Sequence, residues 1–455
     1  MVVLPVVLPR PAHGDVGANA GSSEKGLTMF RLRVLHVAVI AAPFVAGVAL
    51  PEVCARADII HVAQGESAVK ALSLAGPGDT LHLAPGTFKG DLVVDLPGLT
   101  IEGEPGTVVQ GSGAGDAIRV NTPDVTIRGL VIRGSGLSLI DKNSGLFVDR
   151  TADRARVENN VFEDNLIAVY LDGPHDAVVR GNRIQGLRTL RISERGPAIS
   201  LWNTPGSQIL DNDIRSGRDG VFSVTSNHNV VRGNTFHDLR FAIHFMYTND
   251  SEVAGNFSAG NGVGYVLMYS DRLYVHDNVS DRDRDHGLLF NYANESRIED
   301  NVVRGSDKCV FIYNANKNRF AGNWFEGCQI GIHFTAGSER NEITGNAFVN
   351  NRTQVMYVGT RLLDWSVRGR GNYYSDNPAF DLKGNGIADT AYRPNNLMDQ
   401  VIWRAPAAKM LLNSPAVQVV RWAQAQFPAI HPGGVIDTAP LMKPPHPPAL
   451  GRLAP

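Results

Sequence analysis

The strongest constraint on the fold is one asparagine that recurs at a nearly constant spacing. Seven of its nine gaps are 22 or 23 residues, and the positions are Asn160, Asn182, Asn212, Asn234, Asn256, Asn278, Asn301, Asn323, Asn346 and Asn372. A period of roughly 20–50 residues is typical of repeat architectures. Each repeat is too short for a pair of helices and is rich in Val, Ile and Phe between Gly and Asn. The period therefore predicts an all-β chain, a right-handed parallel β-helix of about a dozen coils.

The asparagines themselves are expected to lie at a turn, because Asn tolerates left-handed backbone conformations. In stacked coils about 4.8 Å apart, their amides can hydrogen-bond to one another as a ladder.

The repeat also sets the domain boundaries. We assign the β-helix to residues 99–376 and an N-terminal cap to residues 58–98. Residues 377–455 form a C-terminal cap that ends in a Pro-rich tail. Two helices are predicted in this cap, at 396–410 and 415–427, with a break at Pro406.

The chain before residue 58 has the pattern of an export signal. From Met29, two arginines precede an apolar stretch and the sequence Ala-Arg-Ala that ends at Ala57. This order is typical of a secretory signal peptide. Residues 29–57 are therefore predicted to be removed near Ala57, which leaves a periplasmic protein without a membrane span. We interpret residues 1–28 as a non-native N-terminal extension.

The net charge argues against one class of partner. A formal net charge of −2 is not that of a typical nucleic-acid-binding protein.

Two cysteines remain after export. Cys309 and Cys328 lie on neighbouring repeats at non-equivalent positions. The offset predicts two buried free thiols rather than a disulfide.

Two repeats are longer than the others, and the extra residues fall at 133–144 and 185–195. Insertions at one corner of a solenoid project on one face, which is often the binding face. The second insertion carries Arg188, Arg191, Glu194 and Arg195. It suits an anionic ligand or a protein partner, and equally a solvated loop.

One strand per repeat carries candidate metal ligands. Since side chains alternate along a strand, residues such as Ile243 and Phe245 face the core. The intervening residues then form an apolar outer surface that contains His244, Met246, Met268, His286, His333 and Met356. Thioether and imidazole ligands suit transient binding of Cu(I). The alternative is a hydrophobic interaction surface that uses Met as a filler.

Three other polar clusters are candidate sites. The alternating charges from Asp281 to His286 favour a solvated corner over a catalytic site. His175, beside Pro174, favours a structural turn. Asp381, Asn385 and Asp389 have the spacing of calcium ligands, but Lys383 at the third position argues against calcium.

The C-terminal run from Gly371 to Arg404, GNYYSDNPAFDLKGNGIADTAYRPNNLMDQVIWR, resembles the NosD family. The stretches LNSPAVQVVRW and HPGGV that follow it extend the resemblance. Together with the signal peptide, the repeats and the Met/His stripe, it covers nearly all of the exported chain.

The resemblance implies a periplasmic maturation protein of nitrous oxide reductase, within the wider class of carbohydrate-binding and sugar-hydrolase β-helices. It implies work with an ABC transporter (ATPase plus membrane subunit) and a copper chaperone, which build the copper–sulfide cluster on the reductase apoprotein. It implies no catalytic residues, and we predict a protein that is not an enzyme. The alternative is a polysaccharide-binding or -modifying β-helix, similar to uronate lyases or epimerases.

Overall fold

The repeats form three parallel sheets that wind around one hydrophobic core. The computed structural model describes residues 57–411, 414–427 and 433–445. Each coil passes through sheet one, sheet two and sheet three in turn, and each strand pairs with its equivalent in the coils before and after. The sheets contain 13, 13 and 12 strands, so the predicted parallel β-helix of about a dozen coils is confirmed.

The strand boundaries show that short strands alternate with tight corners. Sheet one consists of Ile59–Val62, Thr80–Leu83, Thr100–Gly103, Thr126–Arg128, Arg156–Glu158, Val178–Arg180, Gln208–Leu210, Val230–Arg232, Glu252–Ala254, Tyr274–His276, Arg297–Glu299, Arg319–Ala321 and Glu342–Thr344. Sheet two consists of Gly86–Lys89, Thr107–Gln110, Val131–Arg133, Val161–Asn165, Arg183–Gly186, Asp213–Arg215, Thr235–His237, Phe257–Ala259, Val279–Asp281, Val302–Arg304, Trp324–Glu326, Ala347–Val349 and Tyr373–Tyr374. Sheet three has the longest strands, which are Leu92–Val94, Ile118–Val120, Ser144–Asp149, Ile167–Asp172, Ile199–Trp202, Asp219–Val224, Phe241–Met246, Val263–Met268, His286–Asn291, Lys308–Tyr313, Ile330–Thr335 and Thr353–Val358.

The β-helix begins earlier than the asparagine period indicates. Residues 58–98, assigned above to a cap, already contribute strands to all three sheets, and Ile59–Val62 pairs with Thr80–Leu83. These first coils lack the repeated asparagine, so the period does not mark them. Only the helix Ala68–Leu74 interrupts their strands. The signal peptide 29–57 and the extension 1–28 lie outside the described residues, except for Ala57.

The asparagine ladder is present and continuous. In the middle of the array, the backbone N and Nδ2 of Asn256 donate to Oδ1 of Asn278 at 3.0 and 2.9 Å, and Nδ2 also donates to the carbonyl of Val231. The prediction that the asparagine itself adopts the left-handed conformation is wrong. The residue before it does so instead, as Gly255 does before Asn256. The αL turn at that position frees the asparagine side chain to point into the coil.

Asp437 ends the ladder. Its Oδ2 accepts from the backbone N of Asn372 at 2.7 Å and from Tyr374 Oη at 3.2 Å. Asp437 follows the strand Gly434–Ile436, which pairs with Leu362–Asp364. The chain therefore returns after the C-terminal helices to close the last coil.

The C-terminal cap has the predicted helical character. It contains the helices Leu397–Arg404 and Pro415–Gln426, with a 3-10 helix Pro406–Leu411 between them that begins at the predicted break. Several apolar side chains of this region are exposed, namely Met410, Leu411, Val419, Trp422 and Phe427. Within the described ranges, no helix combines the length and apolar character needed to cross a membrane.

The two cysteines form a disulfide, so the prediction of free thiols is wrong. Cys309 lies in Lys308–Tyr313, and Cys328 lies in the corner that leads to the next strand of sheet three. Their Cα atoms are 5.8 Å apart, within the usual range for a disulfide. Equivalent positions were not required, because the tight corner brings a strand residue of one coil beside a corner residue of the next.

Reduction of this disulfide is expected to lower the free energy of unfolding by about 3 kcal/mol, because the bond closes a loop in the unfolded chain. The cysteines are separated by 19 residues in the sequence. Guanidinium denaturation with and without dithiothreitol measures the change. The variant Cys309→Ser/Cys328→Ser is the control and should not respond to reductant. A wild-type midpoint that does not move with reductant would contradict the disulfide.

Candidate functional site

The candidate site lies on the outward-facing side of sheet three. The inward residues, including Ile243, Phe245, Tyr265 and Leu267, are fully buried in the core as predicted. We call the outward side chains from strand Asp219–Val224 to strand Thr353–Val358 the outer stripe. One of its columns, in coil order, is Phe222, His244, Val266, Leu289, Phe311, His333 and Met356.

Met246 and Met268 are register partners on adjacent strands, and both are half-buried. Their Cα atoms are therefore separated by about the strand spacing of 4.8 Å. His244 lies two residues before Met246 on the same face. Two thioethers and one imidazole thus occupy neighbouring positions, as the sequence predicted, and long flexible Met side chains can converge between them.

His244 is held in an aromatic and acidic environment. Its ring lies 4.9 Å from the ring of Phe222 and 5.2 Å from that of Phe241, measured between centroids. Its Nδ1 is 3.6 Å from Oδ2 of Asp219, which is an ion-pair contact but too long for a hydrogen bond. Both ring nitrogens are buried without a hydrogen-bond partner among the described residues. A ligand for Nε2 would satisfy this orphaned group.

Asp219 is a residue that the sequence analysis missed. Its side chain is fully buried and accepts from Arg240 Nε at 2.8 Å and Nη2 at 2.5 Å. Burial favours a raised pKa, but the contacts with His244 and Arg240 hold the pKa of Asp219 below its usual value. A carboxylate on the far side of an imidazole orients metal-binding histidines in many proteins. The sequence gives little indication of a buried carboxylate here, because Asp219 follows Arg218 and the pair resembles ordinary surface charges.

His286, His333 and Met356 form a second, separate group. His333 and Met356 are register partners, and His286 and His333 both lie against the ring of Phe311, at 5.4 and 5.0 Å. Burial lowers the pKa of His286, and burial reinforced by Lys308 lowers the pKa of His333 to about 4. Both imidazoles are therefore neutral at neutral pH, the form that binds metals.

The six predicted residues thus do not converge on one point. His333 lies four coils from His244, a distance of about 19 Å at the usual strand spacing. Across the described ranges, no three His, Cys, Asp or Glu side chains are grouped to hold a metal.

One acidic cluster behaves differently from the solvated corner that was predicted. Asp283 is buried in the coil interior and accepts from Ser258 Oγ and Ser280 Oγ, each at 2.6 Å, and from the backbone N of Asn261. Burial raises its pKa. Asp283 belongs to a second ladder of polar side chains, which lies at the corner before sheet three. Its contacts with Ser258, Ser280 and Asn261 there explain why its carboxylate points inward.

The other polar clusters are bound within the protein. Asp381 accepts from the backbone of Asn385 and Gly386, and Asp389 Oδ1 pairs with Lys383 Nζ at 3.0 Å. The backbone N of His175 donates to Asp153 in a turn.

A tyrosine stack was also missed. Tyr247, Tyr269 and Tyr292 stack at 5.1 and 5.2 Å between centroids at the corner that follows sheet three. All three are in the left-handed region, with φ of 53°, 49° and 51°. They border the outer stripe beside Met246 and Met268. Their spacing of 22 and 23 residues was visible in the sequence, but aromatic residues rarely adopt this conformation.

The fold and the exposed stripe place the chain among parallel β-helix proteins with a long outer sheet face. The A-module of the Azotobacter vinelandii mannuronan C-5 epimerase AlgE6 aligns with a TM-score of 0.54 at 16% identity, over 64% of this chain and 90% of that one. The Dettilon tailspike protein aligns with a TM-score of 0.51 at 14% identity, over 64% of each chain. At such identities the likeness concerns the fold alone.

Sequence relatives define the family. Residues 187–379 match the family described as periplasmic copper-binding protein (NosD). The chain is 38% identical to a "Probable ABC transporter binding protein NosD" of Stutzerimonas stutzeri, over 80% of this chain and 86% of the relative. It is 37% identical to the protein of the same name from Pseudomonas aeruginosa, over 83% and 91%. The chain belongs to the NosD family.

Proposed function

We propose that this protein is a periplasmic, non-catalytic accessory factor that holds Cu(I) transiently during assembly of the copper–sulfide cluster of nitrous oxide reductase. The observation that carries the proposal is the pairing of Met246 with Met268 beside His244 on an outer face. Membership of a family described as periplasmic and copper-binding supports it.

The ligand set suits a carrier rather than a storage site. Two thioethers and one imidazole supply no negative charge to the ion, and they select a soft monovalent metal. The half-buried position of the two methionines on a sheet face leaves one side open for transfer to another protein, whereas His244 is buried beneath them. His286, His333 and Met356 would offer a second position further along the same face.

The proposal includes export and partners. Removal of residues 29–57 near Ala57 would deliver the chain to the periplasm. The names of the two relatives support an ABC transporter as partner. We extend this to its ATPase and membrane subunits, a copper chaperone and the reductase apoprotein. The exposed Trp422 and Phe427 of the C-terminal cap are suited to such docking.

The polysaccharide alternative has less support on this face. Sugar-modifying enzymes need a base, an acid and a group that neutralises the substrate carboxylate. The outer stripe presents mainly Met, Phe, Val, Leu and His instead. The two relatives are also named as binding proteins, which supports a function without catalysis.

The test is the triple variant His244→Ala/Met246→Ala/Met268→Ala. We expect its Cu(I) affinity to fall at least tenfold, because the imidazole and both thioethers are removed together. Anaerobic titration against a chromophoric Cu(I) chelator measures the affinity. The copper content of reductase purified from the same cells measures cluster loading, which should fall in parallel.

Val224→Ala/Val266→Ala is the matched control, because these residues are the register partners of Met246 and His244 in adjacent coils. It removes apolar surface from the same face and retains every proposed ligand, so Cu(I) affinity should be unchanged. The variant His286→Ala/His333→Ala/Met356→Ala tests the second group. Normal binding and full cluster loading in the first triple variant would refute the site.

A further inference from the structure

The two long insertions meet on one side of the β-helix. The first follows Val131–Arg133, the second follows Arg183–Gly186, and each precedes a strand of sheet three. Both reach Tyr170 on the outer face of that sheet. Lys142 of the first insertion has its Nζ 5.0 Å from the centre of the Tyr170 ring, and Leu187 of the second packs against the cluster that contains Tyr170. The two insertions therefore form one surface.

Both insertions are held in place by contacts of their own. In the first, Oδ1 of Asn143 accepts from the backbone N of Ser138 at 3.0 Å. In the second, Arg195 Nε donates to the carbonyl of Leu190 at 2.9 Å, and Nη1 donates to that of Ser216 at 3.1 Å. The side chains at the tips of the insertions are thus presented in fixed positions, so little conformational entropy is lost when they bind.

The tips of the insertions carry exposed apolar side chains. Between residues 94 and 246, every strongly exposed large apolar side chain lies on the insertions or, for Trp202, on the strand beside them. These side chains are Leu137, Leu139, Ile140, Ile192 and Trp202. Ile140 is 92% exposed, so it stands clear of the protein surface and is not enclosed by a groove. Exposed apolar side chains grouped in this way mark a contact with another apolar phase.

Exposed cations accompany these apolar tips. The two insertions contain five basic and two acidic residues, whereas the whole chain has a formal net charge of −2. Arg188 and Arg191 precede Ile192 in the second insertion, are exposed, and form no ion pair with a described residue. The acidic residues are Asp141 and Glu194. The surface therefore combines apolar tips with a local excess of positive charge.

We propose that the two insertions dock this protein onto an anionic phospholipid bilayer. The apolar tips enter the boundary between headgroups and acyl chains, a depth at which Trp is also stable. Arg188 and Arg191 then meet the lipid phosphates, so the charge of this surface is complementary to that of the membrane. A bilayer suits a side chain as exposed as Ile140, because lipids deform around it and no preformed pocket is required.

Co-sedimentation of the full exported chain with lipid vesicles tests the proposal. We expect saturable binding to vesicles of phosphatidylglycerol and phosphatidylethanolamine, which weakens as salt is raised. Binding to phosphatidylcholine vesicles should be at least tenfold weaker. The variant Ile140→Trp reports insertion, because its fluorescence emission should shift to shorter wavelength on the anionic vesicles. No binding to the anionic vesicles, or binding without this shift, would overturn the proposal.

Two variants locate the contact. Leu137→Ser/Ile140→Ser removes apolar surface from the first insertion, and Arg188→Ala/Arg191→Ala removes charge from the second. All four side chains are exposed, so the fold should be retained. Each variant should bind the anionic vesicles at least tenfold more weakly than the wild type. Neither variant alters a proposed copper ligand, so Cu(I) affinity should be unchanged, and failure of this proposal is distinguishable from failure of the copper site.

Matched controls replace equally exposed side chains elsewhere. Val69→Ser/Leu74→Ser is the apolar control on the first helix, and Arg352→Ala/Arg368→Ala is the charge control near the last coils. Both should bind the anionic vesicles as the wild type does. Weakening by the controls as large as that of the insertion variants would show non-specific attraction to the lipid, and would overturn the assignment of the contact to the insertions.

Discussion

Replacing Asn256 with Ala is expected to lower the free energy of unfolding by about 4 kcal/mol, because buried groups lose their partners in two coils at once. Oδ1 of Asn256 accepts from the backbone N and Nδ2 of Asn234, each at 3.0 Å. Its own Nδ2 donates to the carbonyl of Val231 at 2.8 Å. The substitution leaves these groups buried and unpaired, and no water can reach the coil interior without opening it.

Guanidinium denaturation followed by tryptophan fluorescence measures the change in stability. Amide hydrogen exchange should show faster exchange at Asn234, whose backbone N–H loses its acceptor. Arg215→Ala is the control, because its guanidinium donates to the carboxylate of Asp213 on the same strand, and its cost should stay below about 0.5 kcal/mol. A loss for Asn256→Ala as small as that of the control would mean that the ladder contributes little.

The ladder also shows why so much of the fold was predictable. Asparagine recurs because its side chain in each coil hydrogen-bonds to the asparagine of the next coil. The period in the sequence is therefore the number of residues in one coil. The inward and outward faces of sheet three were predictable for a similar reason. Apolar Ile243 and Phe245 alternate with His244 and Met246 along the strand, and this alternation identifies the two faces. The coils before Leu99 lack the asparagine, so the period assigns residues 58–98 to a cap although their strands belong to the three sheets.

The remaining errors arise at the corners. The chain turns at a corner, so the alternation of inward and outward side chains along a strand no longer predicts which way a corner residue points. The charge pattern predicts a solvated Asp283, but its carboxylate is buried and accepts from Ser258 and Ser280. The offset between Cys309 and Cys328 predicts free thiols, but the corner brings the two residues close enough for a disulfide. Likewise Asp219, at the start of its strand, turns under His244 rather than out to solvent.

The insertions were only half predictable. Their position at one corner followed from the repeat lengths, and the arginines of the second insertion were visible as possible anion ligands. The packing of Leu187 and Leu190 against the cluster of Phe147 and Tyr170 has no local sequence pattern.

Replacing Asp219 with Ala is expected to lower the free energy of unfolding by about 4 kcal/mol, because the guanidinium of Arg240 loses its buried partner. The pKa of Asp219 is held below its usual value of 3.8. The stability from this contact is therefore present above pH 3.8 and is lost as pH falls through the lower folded-state pKa. The wild type should lose this stability in acid, whereas the variant, which lacks the carboxyl group, should not show that loss.

The same substitution also tests whether Asp219 positions His244 at the proposed Cu(I) site. If Asp219 orients His244, as the 3.6 Å contact with Nδ1 indicates, the variant should bind Cu(I) more weakly at neutral pH while it remains folded. Asp219→Asn is the informative comparison, because it keeps an acceptor for Arg240 but removes the charge beside the imidazole. Denaturation from pH 3 to 7 and anaerobic Cu(I) titration are measured on both variants. Unchanged Cu(I) affinity in both would show that Asp219 stabilises the corner without positioning His244.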